Sequence, residues 1–352
     1  MKTIKKAALL AFAIPLFFTS CSDDDNSGGY TSQGEFENGF FVLNEGNSSL
    51  STASVTFIGN DGRVEQDIFR TINPDADEIG TWLQNIFFDE NRAFIVSGQA
   101  NSITVVNRYT FEYITTITTN LTNPRYGVVA NGKIFVTNSG NQSATGGFVT
   151  VINLSDYSAT KLELNTTAER IVEENGKVYV SNGHYGNGNS ITVINAATVM
   201  VEATIDLGAG NVPSTLEEEN GTLYVLTNSE IVKINASNNT ISGTVEIPSG
   251  ITAPNNLAID GNTIYFTGNS TSVYSLGLNA TTVSSTPILT HQSSSITWGA
   301  LYGFAVEDGK IYIADINGGG ASDGKAYVYS TSGSLITDYS VGVIPNGFYF
   351  ND

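Results

Sequence analysis

The chain has 352 residues, a formal net charge of −19 and a single cysteine, and only 14% of its residues are charged. This composition excludes nucleic acid as a partner, because binding phosphates requires clustered Lys and Arg. One thiol also excludes an internal disulfide and a thiolate metal site.

The first 20 residues have the pattern of a lipoprotein signal peptide. Lys2, Lys5 and Lys6 precede an apolar run from residue 7 to 18, which is shorter than the roughly 20 residues needed to cross a bilayer. The next segment, FTSC at 18–21, resembles a bacterial lipobox, in which a thiol accepts the diacylglycerol. We therefore expect lipid attachment at Cys21 and an anchor in the outer membrane. The alternative is an ordinary secretory signal with an incidental cysteine.

Residues 21–34 form an acidic segment rich in Ser and Gly, which predicts a flexible tether. Its start, SDDD at 22–25, resembles the acidic export tag of some surface lipoproteins, and this resemblance implies a protein that faces the medium. A solvated acidic linker is the alternative. Removal of the three leader lysines changes the net charge from −19 to −22.

Residues 35–352 contain a repeat. A short β-branched and aromatic strand breaks into a polar loop and resumes as an alternating strand at 93–107, 134–153, 178–195, 223–235, 264–276 and 311–330. Tight-turn pairs precede most of these units, at Asn131-Gly132, Asn175-Gly176, Asn220-Gly221, Gly261-Asn262 and Asp308-Gly309. The spacing of about 40 to 48 residues suits a four-stranded blade with strands a, b, c and d.

The two ends of this region complete one another. The first unit, which starts at Asn38, has strands b, c and d but lacks strand a, whereas the final segment PNGFYF at 345–350 has the pattern of a lone strand a. The sequence therefore predicts an all-β, seven-bladed β-propeller closed by a composite blade, which hides the strand edges. A two-sheet sandwich and an open solenoid are the alternatives, and the spacing of whole units disfavours both.

These blades resemble the YVTN-repeat family of seven-bladed propellers, since IFVTNSG, VYVSNGH and LYVLTNS are close variants of that tetrapeptide. The opening FVLNEGN at 41–47 is similar to the first blade of surface-lipoprotein propellers associated with TonB-dependent transporters. That subgroup includes cobalamin-binding members, so the resemblance implies capture of a ligand and its delivery to a transporter.

The polar b–c loops and the d–a loops lie on one face of such a propeller, where a binding site is expected. Aromatic side chains beside Asn amides suit a large polar ligand, such as a corrinoid, a siderophore or a glycan. The predicted ligand-binding residues are Asn44, Glu45, Trp82, Tyr126, Asn138, His184, Tyr185, Trp298, Tyr302, Asp315 and Asn317. The same Asn and aromatic residues would also suit turn geometry and packing between blades.

Catalysis is not predicted. His184 and His291 are the only histidines, and neither lies in a nucleophile or zinc motif. We expect no catalytic residue or cofactor and assign no metal ligand, and calcium binding by NPDADE at 73–78 stays open. The leading prediction is a cell-surface lipoprotein that binds a corrinoid-like molecule for a TonB-dependent transporter. The alternatives are a propeller enzyme (lyase, lactonase or glycan-active) and an adhesion or scaffold protein without a small ligand.

Overall fold

Strands form where runs of β-branched and aromatic residues lie between turn residues, and this pattern repeats along the chain. A computed structural model describes residues 32–47, 49, 52–184, 186–293, 299–318 and 320–351. Residues 33–352 form one compact unit. The predicted signal peptide, the lipidation site at Cys21 and most of the tether lie outside the described residues.

Seven four-stranded antiparallel sheets are arranged as the blades of a β-propeller, as predicted. Blade 1 takes its outer three strands from the start of the chain and its innermost strand, β28, from the end. Blade 1 contains β1 (Gly39–Asn44), β2 (Ser54–Gly59), β3 (Val64–Glu65) and β28 (Pro345–Asn351), and blade 2 contains β4 (Leu83–Phe88), β5 (Arg92–Ser97), β6 (Ser102–Asn107) and β7 (Tyr113–Ile117). Blade 3 contains β8 (Pro124–Ala130), β9 (Lys133–Asn138), β10 (Gly147–Asn153) and β11 (Ala159–Thr166); blade 4 contains β12 (Ile171–Glu174), β13 (Lys177–His184), β14 (Asn187–Asn195) and β15 (Met200–Asp206). Blade 5 contains β16 (Pro213–Glu219), β17 (Thr222–Thr227), β18 (Glu230–Asn235) and β19 (Thr240–Glu246); blade 6 contains β20 (Asn255–Asp260), β21 (Thr263–Gly268), β22 (Ser272–Gly277) and β23 (Leu289–Thr290); and blade 7 contains β24 (Gly303–Glu307), β25 (Lys310–Asp315), β26 (Asp323–Ser330) and β27 (Leu335–Val343).

The predicted closure is confirmed by the pairing of β28 with β1. Phe41 lies opposite Tyr349 and Val42 opposite Phe348 in an antiparallel register. The last strand therefore satisfies the backbone groups along the inner edge of β1, and the ring has no open seam.

The a–b turns explain why Asn-Gly and Asp-Gly recur. Both turn residues have positive φ at Asn131-Gly132 (47° and 72°), Asn175-Gly176 (52° and 75°), Asn220-Gly221 (53° and 75°) and Asp308-Gly309 (50° and 68°). Positive φ at both central residues matches the right-handed twist of the strands that the turn joins. These short turns lie at the ends of the innermost strands, opposite the loop-rich face.

The hydrophobic core lies between blades. The second and third strands of each blade are buried on both faces by neighbouring blades, as in β5, whose last five residues are all buried. The fourth strand is mostly exposed, as in β7 and β15. A short helix, α1 (Ile68–Ile72), connects blades 1 and 2. In the part of the chain that the structure describes, no helix has the length and apolar character needed to cross a membrane.

Candidate ligand-binding site

One structural position recurs in all seven blades and surrounds one mouth of the central channel. It lies within two residues of the start of the innermost strand, and in four blades a proline precedes it. The residues at this position are Gln84, Arg125, Glu169, Ser214, Asn255, Tyr302 and Asn346, and all seven line a cavity of 660 Å³. We call these seven residues the mouth ring. Every member is polar.

A second cavity of 370 Å³ continues the first along the channel, between the innermost strands. Tyr126, Arg170, Asn256 and Asn346 line both cavities, so these residues mark where the mouth narrows into the channel. Gaps between neighbouring loops add His184 and other b–c loop residues to the wall of the larger cavity. The cavity thus opens on the face that carries the d–a and b–c loops.

A partly buried ion pair crosses from blade 3 to blade 4 in the mouth ring. The Arg125 guanidinium donates to both carboxylate oxygens of Glu169, at 3.1 Å from Nε to each and 2.7 Å from Nη2 to Oε1. Nδ1 of His184 lies 3.0 Å from Oε2 of the same carboxylate. Burial opposes ionisation of Glu169, but the Arg125 charge and the His184 hydrogen bond outweigh it and hold its pKa at about 2.

Local backbone packing positions this network. The peptide groups of Glu169 and Arg170 pair with Ser181, which fixes the start of the innermost strand against β13. Gly183 follows in β13, and a Cβ there would lie 2.2 Å from the carbonyl oxygen of Pro213. The glycine therefore lets blade 4 approach blade 5 closely, and His184 comes to lie beside the carboxylate.

A second carboxylate lies at the same mouth, near the composite blade. The Tyr302 hydroxyl donates a 2.7 Å hydrogen bond to Oε2 of Glu45. Burial raises the pKa of Glu45, although Tyr302, Arg125 and Asn346 each lower it. The pKa of Tyr302 is also raised, first by burial and then by the Glu45 charge. Asn346 donates from Nδ2 to the carbonyl of Leu83, and its buried Oδ1 has no hydrogen-bond partner among the described residues.

Arg170 and Glu217 bring charge to the narrower part of the channel. The Arg170 guanidinium carbon lies 4.1 Å from the centre of the Tyr126 ring, a cation–π contact. Glu217 lines the channel one blade further on, and burial raises its pKa to about 7 even though the Arg170 charge lowers it. Glu217 is thus neutral over much of the acidic range, where an exposed glutamate is ionised.

The structure brings some of the predicted binding residues to this site. Tyr126, His184 and Tyr302 line the larger cavity, and Glu45 contacts Tyr302 at its edge. Among the described lining residues, Tyr126 and Tyr302 are the only aromatic ones, so the wall is more charged and less aromatic than the sequence suggested.

Other predicted ligand-binding residues make hydrogen bonds inside the blades instead. Asn44 is fully buried and donates to Ser54 and Thr56, and Asn138 is fully buried and donates to Thr150. Asn182 repeats the arrangement in blade 4, where it accepts from Ser190 and Thr192. In blades 1, 3 and 4 this Asn therefore ties the second strand to the third rather than facing the cavity. Asn228 of LYVLTNS differs, since it lines the cavity and accepts from the Val212 N–H.

Asp315 is also buried. Its Oδ2 lies 3.0 Å from Nε2 of His291, and Nδ1 of His291 lies 2.8 Å from the Tyr329 hydroxyl, so this network joins blade 6 to blade 7. Asn317 is half-buried in the following loop, where its N–H donates to Asp315. Trp82 is 42% exposed but does not line the cavity. Tyr185 and Trp298 lie outside the described residues.

Sequence reasoning missed Arg125, Glu169, Arg170 and Asn346. A signal existed for two of them, because a polar residue follows the proline at the start of four innermost strands, at Arg125, Ser214, Asn255 and Asn346. Glu169 and Arg170 follow Ala168 and have no such signal. No three His, Cys, Asp or Glu side chains in the described part of the chain converge in a way that could hold a metal ion.

Residues 38–351 match the model of a family described as a domain of unknown function, DUF5074. The chain belongs to this family. No curated protein matches it at a significant level.

Solved structures show the fold that this DUF5074 member shares with other propellers. Hydrazine synthase of Kuenenia stuttgartiensis is similar with a TM-score of 0.61 and 16% identity, over 78% of this chain and 91% of that one. BamB of Moraxella catarrhalis is similar with a TM-score of 0.54 and 8% identity, over 89% of this chain and 86% of that one. The computationally designed protein Ika8 is similar with a TM-score of 0.59 and 10% identity, over 91% of this chain and 92% of that one. At these identities the similarity extends to the fold alone.

Proposed function

We propose that this DUF5074 protein is a surface lipoprotein whose propeller binds a polar small molecule at the mouth ring and delivers it to a TonB-dependent transporter. The observation that carries the proposal is the polarity of all seven equivalent positions around one mouth of the channel. A propeller needs tight turns and apolar faces between its blades to fold, and neither requirement makes these seven positions polar. Polar residues at the mouth suit water as well as a ligand, and what supports binding is that all seven converge on one cavity.

The chemistry of the mouth ring favours a bulky ligand with many hydrogen-bonding groups. Gln84, Asn255 and Asn346 offer amide donors and acceptors, while Ser214 and Tyr302 offer hydroxyl groups. The cavity volume of 660 Å³ lies within the range of small-molecule sites, about 300 to 1,000 Å³. A corrinoid carries amides around a flat ring, so it is the leading candidate; siderophores and glycans share part of this chemistry.

We assign a binding role rather than a catalytic one. Glu169 is the carboxylate held most firmly at the mouth, but a carboxylate with a pKa of about 2 is a weak base near neutral pH. Arg125 and His184 both contact it, and this arrangement suits a rigid wall that positions a ligand.

Calorimetric titration of the purified propeller, starting at residue 33, tests the binding proposal. The panel is hydroxocobalamin, dicyanocobinamide, a ferric siderophore and a neutral oligosaccharide. We expect saturable heat from at least one member, with a corrinoid the tightest. No heat from any member would overturn the binding proposal.

The anchor and the partner need separate experiments. Metabolic labelling with a fatty acid should mark the wild-type chain but not Cys21→Ser, and protease added to intact cells should remove the wild-type propeller. Co-purification with a TonB-dependent transporter from detergent-solubilised outer membranes tests the partner. Equal labelling of Cys21→Ser would remove the lipoprotein assignment.

A further inference from the structure

Arg170 differs from the other arginines in having neither an ion pair nor a side-chain hydrogen bond among the described residues. All six arginines lie in the described residues, and five of them donate side-chain hydrogen bonds to carboxylate, amide or carbonyl oxygens. Arg170 makes no ion pair and no side-chain hydrogen bond with the described residues. A guanidinium in a confined site without a counter-ion favours an anion, because charge-assisted hydrogen bonds strengthen where water is excluded.

The position of Arg170 is suited to a ligand in the wide mouth. It lines both cavities, and its guanidinium lies against the Tyr126 ring at 4.1 Å. A guanidinium whose carbon lies over an aromatic ring keeps N–H groups available for hydrogen bonds. Tyr126 therefore holds the guanidinium without consuming its donors.

The acids near Arg170 do not neutralise it. Glu169 is bonded to Arg125 and His184, and Glu45 accepts from Tyr302 on the other side of the mouth. Glu217 faces the channel from the next blade and forms no ion pair with Arg170 among the described residues, although the Arg170 charge lowers its pKa.

We propose that Arg170 binds a carboxylate or phosphate group of the ligand that occupies the mouth, with Tyr126 as the residue that positions it. This assignment rests on the proposed function and narrows it to anionic ligands. It predicts that the ligand's negative group enters deepest, at the junction of the two cavities, while its uncharged polar groups contact the mouth ring.

Calorimetry with two pairs of probes tests the assignment. Hydroxocobalamin and citrate are called the anionic probes because each carries a negatively charged group, a phosphodiester in the first and carboxylates in the second. Dicyanocobinamide, which lacks the phosphodiester, and the trimethyl ester of citrate are the neutral probes. Arg170→Gln should weaken binding of the anionic probes roughly 10- to 100-fold, the usual effect of losing a hydrogen bond to a charged group, and leave the neutral probes within two-fold. The affinity of Arg170→Lys for the anionic probes should fall between that of the wild type and that of Arg170→Gln. Arg70→Gln, which removes an exposed arginine paired with Glu78, is the matched control and should bind like the wild type.

The outcomes separate this assignment from the proposed function. If a probe binds but Arg170→Gln changes anionic and neutral probes equally, or changes neither, the Arg170 assignment is wrong and the mouth site stands. If no probe binds the wild-type protein, both are wrong. Circular dichroism melting of each variant guards against misfolding, since a selective loss for anions at unchanged melting temperature has no purely structural explanation.

Discussion

Glu169 Oε1 lies 2.7 Å from Nη2 of Arg125, and the two residues occupy the same structural position in adjacent blades. Their separation along the chain is 44 residues, about one repeat. The propeller thus converts a periodic sequence position into a ring of neighbouring side chains. A site built in this way is specified by the fold as a whole and not by a local motif.

Replacing Glu169 tests whether this pair stabilises the mouth. Glu169→Gln should lower the free energy of unfolding at pH 7 by about 3 kcal/mol, because it leaves the partly buried Arg125 without its counter-ion. The folded pKa of about 2 lies below the ordinary 4.5, so the contribution of Glu169 is present above pH 4.5 and is lost as the pH falls toward 2. Urea unfolding at pH 7 and pH 3 should show a smaller difference at pH 3. Glu163→Gln, at an exposed salt bridge with Lys161, should change the stability by less than about 0.5 kcal/mol. An equal effect of the two substitutions would contradict the account.

Glu217 should make the propeller less stable as the pH rises. Its folded pKa of about 7 exceeds the ordinary 4.5, so the folded state binds more protons and loses stability between pH 4.5 and 7. We expect Glu217→Gln to unfold like the wild type at pH 4 and to be about 1 to 2 kcal/mol more stable at pH 8, with channel water reducing the full linkage effect. Chemical unfolding across this range provides the measurement. A variant less stable than the wild type at pH 8 would show that the ionised carboxylate is favourably solvated.

Asn138 should be a structural residue. Asn138→Ala removes buried hydrogen bonds to Thr150 and to the Thr122 N–H, so it should cost about 1 to 3 kcal/mol of stability. Binding of any ligand from the panel should stay within two-fold of the wild type when measured below the melting temperature. A large loss of affinity at unchanged stability would instead show that Asn138 contributes to ligand binding.

Because β28 closes the ring, a substitution in its core-facing residues should strongly lower the free energy of unfolding. Phe348 is 7% exposed and packs against Phe40 and Tyr312, so Phe348→Ala should cost about 3 kcal/mol in urea unfolding. Ile336, 55% exposed on β27, is the matched control, and Ile336→Ala should have almost no effect. Similar stabilities of the two variants would contradict closure by β28.

The fold could be predicted because each blade repeats its own local signals. Turn pairs such as Asn175-Gly176 and the unmatched strand at 345–350 are visible in the sequence, and the structure uses both as expected. The site was less predictable. Asn44 is a polar residue at the end of β1, where a loop begins, but its partners Ser54 and Thr56 lie on the next strand of the same blade. Arg125 has no nearby acid in the sequence, and only the ring places Glu169 beside it.

Placing a bulky side chain in the mouth ring tests whether the ligand binds there. Asn255 is an exposed member of the ring, and Asn262 is exposed in the a–b turn of the same blade, at the opposite end of β20. Titration calorimetry with hydroxocobalamin should give saturable heat for the wild type and for Asn262→Trp but none for Asn255→Trp. Equal heat from the wild type and Asn255→Trp, or loss of heat only in Asn262→Trp, would contradict a site at this mouth.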